Sequence, residues 1–307
     1  MSATIALPRG ISVLERGWLS ANNIFLQDGQ QTALVDSGYC THSGQTLALV
    51  DGLLQARPLD FLLNTHLHSD HCGGNAALQR HHPQLRTLIP PGQEANVRNW
   101  DPVALTYEPT GQQCPAFQIS GVLKPGSEML LGGRSWQIHA APGHDQHSVV
   151  LFEPRDRILI SADALWRNGF GVVFQELEGM HAFDEVAETL DLIEGLAAAI
   201  VIPGHGQVFS DVSDALANAR RRLDGFVRDP EKHATHAAKV LLKFKLLELR
   251  QLSLTDFNRW TETTPYFGLV HQRWFAAQPI EEWTTKLVDE LVRAGAARRE
   301  GMTIIDV

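Results

Sequence analysis

The sequence predicts a layered α/β fold followed by a smaller helical domain. Three observations carry that reading. Over the first two thirds of the chain, short β-rich runs alternate with helical runs. After Pro230 amphipathic helices take over. With 307 residues, 44% hydrophobic and 20% charged, there is enough apolar material for one large domain or two. Mixed strands and helices in this order make sheets covered by helices. The same composition excludes a disordered chain, which would be poorer in apolar residues and richer in charge.

Ile11–Glu15, Asn23–Gln27 and Thr32–Asp36 read as strands, because apolar and β-branched residues there are bounded by Gly and Asn/Asp turns. Gln45–Gln55 is helical, with Leu47, Leu49, Val50, Leu53 and Leu54 at helical spacing. Leu59–Asn64 is a buried strand, Asn75–His81 a short helix and Leu85–Ile89 another strand. Residues 101–116, with Pro, Thr, Gly and Gln, form a loop. Strands return at Ser135–His139, Val149–Phe152 and Ile158–Ser161. Phe183–Glu194 is a helix, Ala199–Ile202 a strand and Asp211–Val227 a helix.

The domain boundary is placed between residues 229 and 230. His233–Arg250 is a helix whose Val240, Leu241, Phe244 and Leu247 form a core-facing stripe. Ser253 and Asp256 make a capping-box-like start, with Asp in place of Glu or Gln, for a helix to about Thr263. Pro265 and Pro279 bound a third segment, and Ile280–Ala294 is an amphipathic helix ended by Gly295. Ala297–Arg299 and Met302–Val307 read as a terminal hairpin. Helices followed by a small hairpin make a winged-helix-like domain over 230–307.

Charge divides at nearly the same place. The formal net charge is −9, but residues 220–307 hold 15 Lys+Arg against 12 Asp+Glu, a net +3, and residues 1–219 hold −12. An acidic chain is a poor general nucleic-acid binder, because phosphate neutralisation needs clustered Lys and Arg. RNA stays open only where the tail could grip it, and is not favoured. Met1–Gly10 lacks a signal-peptide pattern, and no apolar run approaches the ~18 residues of a membrane span. Cys40, Cys72 and Cys114 fit no disulfide framework and no CxxC knuckle. A cytoplasmic protein without membrane contact is therefore expected. The tail is a candidate homodimer interface, with nothing to select its symmetry.

Histidine is the unusual count, at 14. Residues 61–75 read FLLNTHLHSDHCGGN: an apolar strand runs out at Asn64, and His66, His68, Asp70 and His71 follow within six residues. Side chains two apart share a face of an extended segment. Four such donors at one strand end are costly to place unless a cation orders them. Imidazole and carboxylate suit zinc, iron or manganese. Further donors must come from elsewhere in the chain. His144 in Pro142-Gly143-His144, Asp163 after Ile158–Ser161, and His205 in Pro203-Gly204-His205-Gly206 each sit just past a β-run beside a small residue. In a layered α/β protein such strand ends converge at one edge.

In order, residue type and separation (73 residues from His71 to His144, 19 to Asp163, 42 to His205), these motifs resemble the metal motifs of the metallo-β-lactamase-fold superfamily. The resemblance covers roughly residues 10–220. It implies a four-layer αββα sandwich with the site at one edge of the two sheets. Carried over position by position, it implies that His66, His68 and His144 hold one metal ion and that Asp70, His71 and His205 hold a second. Asp163 and a hydroxide would bridge them. The implied cofactors are two divalent ions, zinc first, with iron or manganese as alternatives. Two dications against two aspartates and a hydroxide leave one net positive charge to attract a carbonyl or phosphoryl oxygen. Metal binding lowers the pKa of water from ~15.7 to about 7, so hydroxide is available at neutral pH. Asp70 is the candidate catalytic residue, either as a ligand alone or also orienting the nucleophile and shuttling its proton.

Within the superfamily, flavodiiron proteins carry Glu where His68 stands, and zinc β-lactamases usually lack the bridging Asp. Thr65–Asn75 fits the THxHxDHxxGN motif of glyoxalase II-like thioesterases. The lactonases share the seven ligands. The chain's layout is most similar to a winged-tail branch that includes endoribonucleases. The resemblance therefore implies hydrolysis of a small-molecule ester, thioester or lactone, with an endoribonuclease or phosphodiesterase as the alternative and a mononuclear-iron persulfide dioxygenase as a further one. Two positions depart from the family pattern: Ala162 stands where Gly often precedes the bridging Asp, and Asp145 where Thr often follows the PGH. Asp145 is expected to hydrogen-bond a ligand histidine and fix its tautomer. His42, His147, Trp166 and Phe170 are candidates for substrate contact, with Leu165–Gly179 as a mobile apolar cover.

Overall fold

The computed structural model describes residues 5–307. Its first sheet runs in the order β1 (Ile11–Leu14), β2 (Asn23–Gln27), β3 (Thr32–Val35), β4 (Phe61–Leu63), β5 (Arg86–Ile89) and β6 (Gly121–Val122). The first two pairings are antiparallel and the last three parallel. The parallel steps need crossovers. These contain α1 (Ser43–Leu54), then α2 (Ser69–Cys72) and α3 (Asn75–His81), then α4 (Glu94–Asn99). The second sheet uses β7 (Glu128–Leu131), β8 (Arg134–Ala140), β9 (Val149–Glu153), β10 (Ile158–Ala162) and β11 (Ile200–Pro203), in the order β11-β10-β9-β8-β7. Between β10 and β11 lie α5 (Phe174–Glu178) and α6 (Ala182–Gly195), and α7 (Val212–Arg228) follows β11.

Period-two patterning builds the layers. Ile24 and Leu26 of β2 face an inter-sheet core shared with Ile138, Leu151, Ile160 and Ile202, while Phe25 between them packs with Val50, Leu54 and Leu78 of the first helical layer. On the second sheet, Val150, Leu159 and Val201 face outward onto Val186, Leu190 and Leu216 of α6 and α7. The result is the four-layer αββα sandwich.

The tail opens with α8 (Pro230–Leu249), capped by Asp229, whose carboxylate accepts from Lys232 N. There follow β12 (Gln251–Ser253), α9 (Leu254–Thr263), α10 (Pro265–Val270), α11 (Ile280–Arg293), β13 (Ala297–Glu300) and β14 (Thr303–Asp306). The Ser253 hydroxyl accepts from Asp256 N at 3.0 Å, as the capping-box pattern predicts. The terminal hairpin pairs with β12 through β14 to give a three-stranded antiparallel sheet. No described helix is long and apolar enough to cross a membrane.

Strands β6 and β7 and helices α4 and α5 were not among the predicted elements. Each is short, between two and six residues, so no periodicity accumulates in the sequence. The segment Leu165–Gly179 packs into two cores. Phe170 is buried in the core beside α7, and Val172 and Leu177 belong to the tail's core. Phe170 is thus excluded from substrate contact, because its ring packs on Phe226.

His233 of α8 is buried between Phe183 and Phe226. Burial, reinforced by Arg222, pushes its pKa down from 6.5 to about 4. Stability from its neutral form is complete above pH 6.5 and is lost as pH falls toward 4, by up to ~3 kcal/mol. Urea unfolding of wild type and His233→Leu at pH 7.5 and pH 5 checks this: the variant should lose less stability on acidification.

Candidate metal centre

The parallel pairing of β3 and β4 places Val35 beside Leu63, so the residues that follow both strands meet at one sheet edge. Here Asp36, in a left-handed conformation at φ 59°, donates its backbone N–H to Leu63 O. Its buried carboxylate accepts from Thr65 N (2.9 Å), from Thr65 Oγ1 (2.8 Å) and from His71 Nδ1 (2.8 Å). Sequence reasoning misses this role, because there Asp36 is only the end of a strand. The available signal is an acid following β3 at the edge where the histidine run follows β4.

The seven predicted donors come together in two adjacent groups. In the first, His68 Nδ1 lies 3.1 Å from His66 Nε2 and 2.9 Å from His144 Nε2. The second is Asp70, His71, Asp163 and His205, and within each group the donor atoms lie within 4.8 Å of one another. Asp163 belongs geometrically to both. One oxygen is 3.5 Å from His144 Nε2 and the other 3.4 Å from His71 Nε2. Asp70 Oδ2 is 3.0 Å from His205 Nε2.

This donor set fits metal ions. Two of the outward ring nitrogens have partners: His144 Nδ1 donates to Val172 O at 2.6 Å, and His71 Nδ1 donates to Asp36. That fixes the tautomer and leaves Nε2 free to ligate. The inward His71 Nε2 is buried and has no hydrogen-bond partner, an orphan that a cation would satisfy. Burial pushes His66 well below the usual imidazole range, with His71, His68 and His144 adding to it. Burial, then His68, pushes His144 down to about 4. Both are therefore neutral, the ligating form. Burial opposes the charge of Asp163, but His71 and His205 outweigh it and hold the carboxyl well below its usual range.

Local sequence enforces these positions. Gly143 sits at φ 128°, where a Cβ would lie 2.6 Å from a Val186 methyl. A Cβ on Gly204 would lie 2.2 Å from Asp163 Oδ1. Ala162, at φ 47°, takes a left-handed conformation that glycine adopts more cheaply, which accounts for the family's usual Gly there.

The centre opens into a cavity of about 640 Å³. Trp18 stacks on the His205 ring at 5.2 Å, and Trp166 donates its indole N–H to Asp163 Oδ1 at 3.1 Å. Trp18 carries no sequence signal. Trp166 and His147 do line the cavity. His42 does not; its ring is 2.9 Å from Ser20 Oγ, away from the centre. Asp145 approaches His68 Nε2 only to 3.8 Å, beyond a hydrogen bond, and instead accepts from His147 N. The expected bond to a ligand histidine is therefore not formed.

The sequence profile of the metallo-beta-lactamase superfamily matches residues 16–205. A hydroxyacylglutathione hydrolase of Yersinia enterocolitica is 26% identical over 133 residues, 43% of this chain and 44% of that protein. A hydroxyacylglutathione hydrolase of Brucella anthropi is 24% identical over 211 residues, 68% of this chain and 65% of that protein. The chain thus spans less than two thirds of the length of either. A metallo-beta-lactamase family protein from Thermus thermophilus superposes with a TM-score of 0.58 at 18% identity, covering 98% of this chain and all of that one. With the profile matched over more than half its length, the chain belongs to the metallo-beta-lactamase superfamily.

Proposed function

We propose that this protein hydrolyses a small-molecule carboxylic ester or thioester, using two divalent metal ions, zinc first. His66, His68 and His144 would hold one ion, Asp70, His71 and His205 the other, with Asp163 shared. The observation that carries the reading is Asp163, one carboxylate facing donors of both groups. When bound, the ions supply Lewis acidity toward the carbonyl oxygen and lower the pKa of water. The residues do the rest. Asp70 lines the cavity and would orient the attacking water. Trp166 holds the shared carboxylate through its indole N–H. Trp18, Trp166 and Phe174 give the acyl part an apolar wall.

The cavity has the volume of a small-molecule site. Its lining includes Arg167 and Arg222 but no lysine, which is short of the basic track an RNA backbone needs. The relatives named hydroxyacylglutathione hydrolase favour a thioester. We also infer that residues 230–307 form a winged-helix-like domain whose role is substrate selection, since α8 contributes Val240, Leu241 and Phe244 to the cavity. The test is a panel of thioesters, esters, lactones and phosphodiesters assayed with zinc-loaded protein. Thioester or ester turnover should lead, vanish on chelation and return with zinc. Faster phosphodiester cleavage would overturn the reading.

A further inference from the structure

Arg222 of α7 is half-buried and lines the cavity, yet its charge has no acidic partner. Among the described residues no carboxylate oxygen lies within 4.0 Å of it, whereas Arg220 on the same helix pairs with Asp191 and Glu194. Its hydrogen-bond partner is His236 Nε2, at 2.6 Å from the guanidinium. Burial, then Arg222 itself, pushes the His236 pKa down to about 3, so this partner is a neutral acceptor. The guanidinium lies near the Phe226 and Phe170 rings, 5.3 Å and 5.8 Å from their centroids, which hold it in place without neutralising it. On its other side Arg222 borders a polar pocket with Lys239, whose ammonium is already paired with Glu290 at 2.9 Å. A desolvated cation with unused donors is expensive unless an anion completes it.

Its position relative to the metal centre follows from two glycines. A Cβ on Gly169 would lie 2.8 Å from Arg222 Cδ, and a Cβ on Gly171 would lie 2.3 Å from His144 Nδ1. Two residues of extended chain span at most ~7 Å. Arg222 therefore sits within one small ligand's length of the donors. Val172, Val240 and Leu241 add apolar surface to the same cavity.

We propose that Arg222 anchors a carboxylate on the substrate, so that the preferred ester or thioester carries an acyl chain ending in a carboxylate. The scissile carbonyl lies at the metal centre, an apolar spacer lies along the cavity, and the distal carboxylate meets the guanidinium fork. A single guanidinium matches a single negative charge and can bind both carboxylate oxygens. The proposal rests on the hydrolase reading for the identity of the scissile group, but the anchor can be tested without turnover.

The experiment is calorimetric binding of α,ω-dicarboxylates from succinate to suberate, each beside the monocarboxylate of the same chain length (butyrate to octanoate), to zinc-loaded protein. Each probe can reach the metals through one carboxylate and neither can be hydrolysed, but only the diacid offers a second carboxylate to Arg222. At one chain length the diacid should bind wild type about tenfold more tightly than its monocarboxylate. Arg222→Gln should bring the diacid down to the monocarboxylate, and Arg222→Lys should keep part of the difference. No diacid preference at any length, or a preference that survives Arg222→Gln, overturns the anchor. If Arg222→Gln does not fold, the wild-type series and Arg222→Lys still decide. A parallel assay of ω-carboxyacyl thioesters separates the two claims. Diacid preference without turnover removes the hydrolase reading alone, and turnover without diacid preference removes the anchor alone.

Discussion

Asp163→Asn is expected to lower hydrolytic turnover by at least ~100-fold and to remove one metal equivalent while leaving the fold in place. Asn has nearly the same shape, so the packing around β10 survives. What changes is charge and donor count. The two carboxylate oxygens face His71 on one side and His144 on the other, and one also accepts the Trp166 indole N–H. In Asn one of those oxygens becomes an NH₂ group, which cannot ligate. The shared ligand is then lost to one of the two groups, and the negative charge that balances two dications is lost to both. Kinetics with metal analysis on the same preparations checks this. Turnover within threefold of wild type would mean that Asp163 is not shared.

Asp36 should produce the largest effect among residues that touch no metal. Asp36→Ala strands Thr65 N and His71 Nδ1 at a fully buried position and takes one partner from Thr65 Oγ1. Leaving such donors without their charged acceptor costs about 3–5 kcal/mol, to be read from urea unfolding. Asp36→Asn is the more discriminating change. Asn tolerates the left-handed backbone and can still accept from Thr65 N through its carbonyl oxygen. Toward His71, however, its NH₂ group would take the place of the acceptor. His71 would then carry its proton on Nε2, the nitrogen aimed at the metal. Metal affinity should fall ~10–100-fold with much less loss of stability than in the Ala variant. Wild-type metal affinity in Asp36→Asn would show that Asp36 serves the fold alone.

The donor residues were legible in the sequence because four cluster just past one β-run and the other three each sit just past a β-run beside a small residue. The structure brings His66, His68, Asp70, His71, His144, Asp163 and His205 to one place for that reason. The long helices were legible through their apolar spacing, as in Ile280–Arg293. The residues around the donors were not. Asp36 reaches His71 only through the parallel pairing of β3 and β4, and pairing partners are not written in local sequence. Trp18 meets His205 across 187 positions of chain. Phe170 and Trp166 look alike in the sequence, four residues apart in one irregular segment. One ring turned into the core and the other to the metal centre because no period governs that segment. Arg222 sits on the polar side of an amphipathic helix pattern, and only the packing of α7 beside α8 reveals that it lacks an acid.

The central claim is that these seven side chains form one site for two metal ions. It is tested most directly by the metal stoichiometry of protein stripped with chelator, reloaded with zinc and freed of excess metal. The account predicts two equivalents per chain, falling to one in Asp163→Asn. A wild-type plateau at one equivalent or fewer would contradict it.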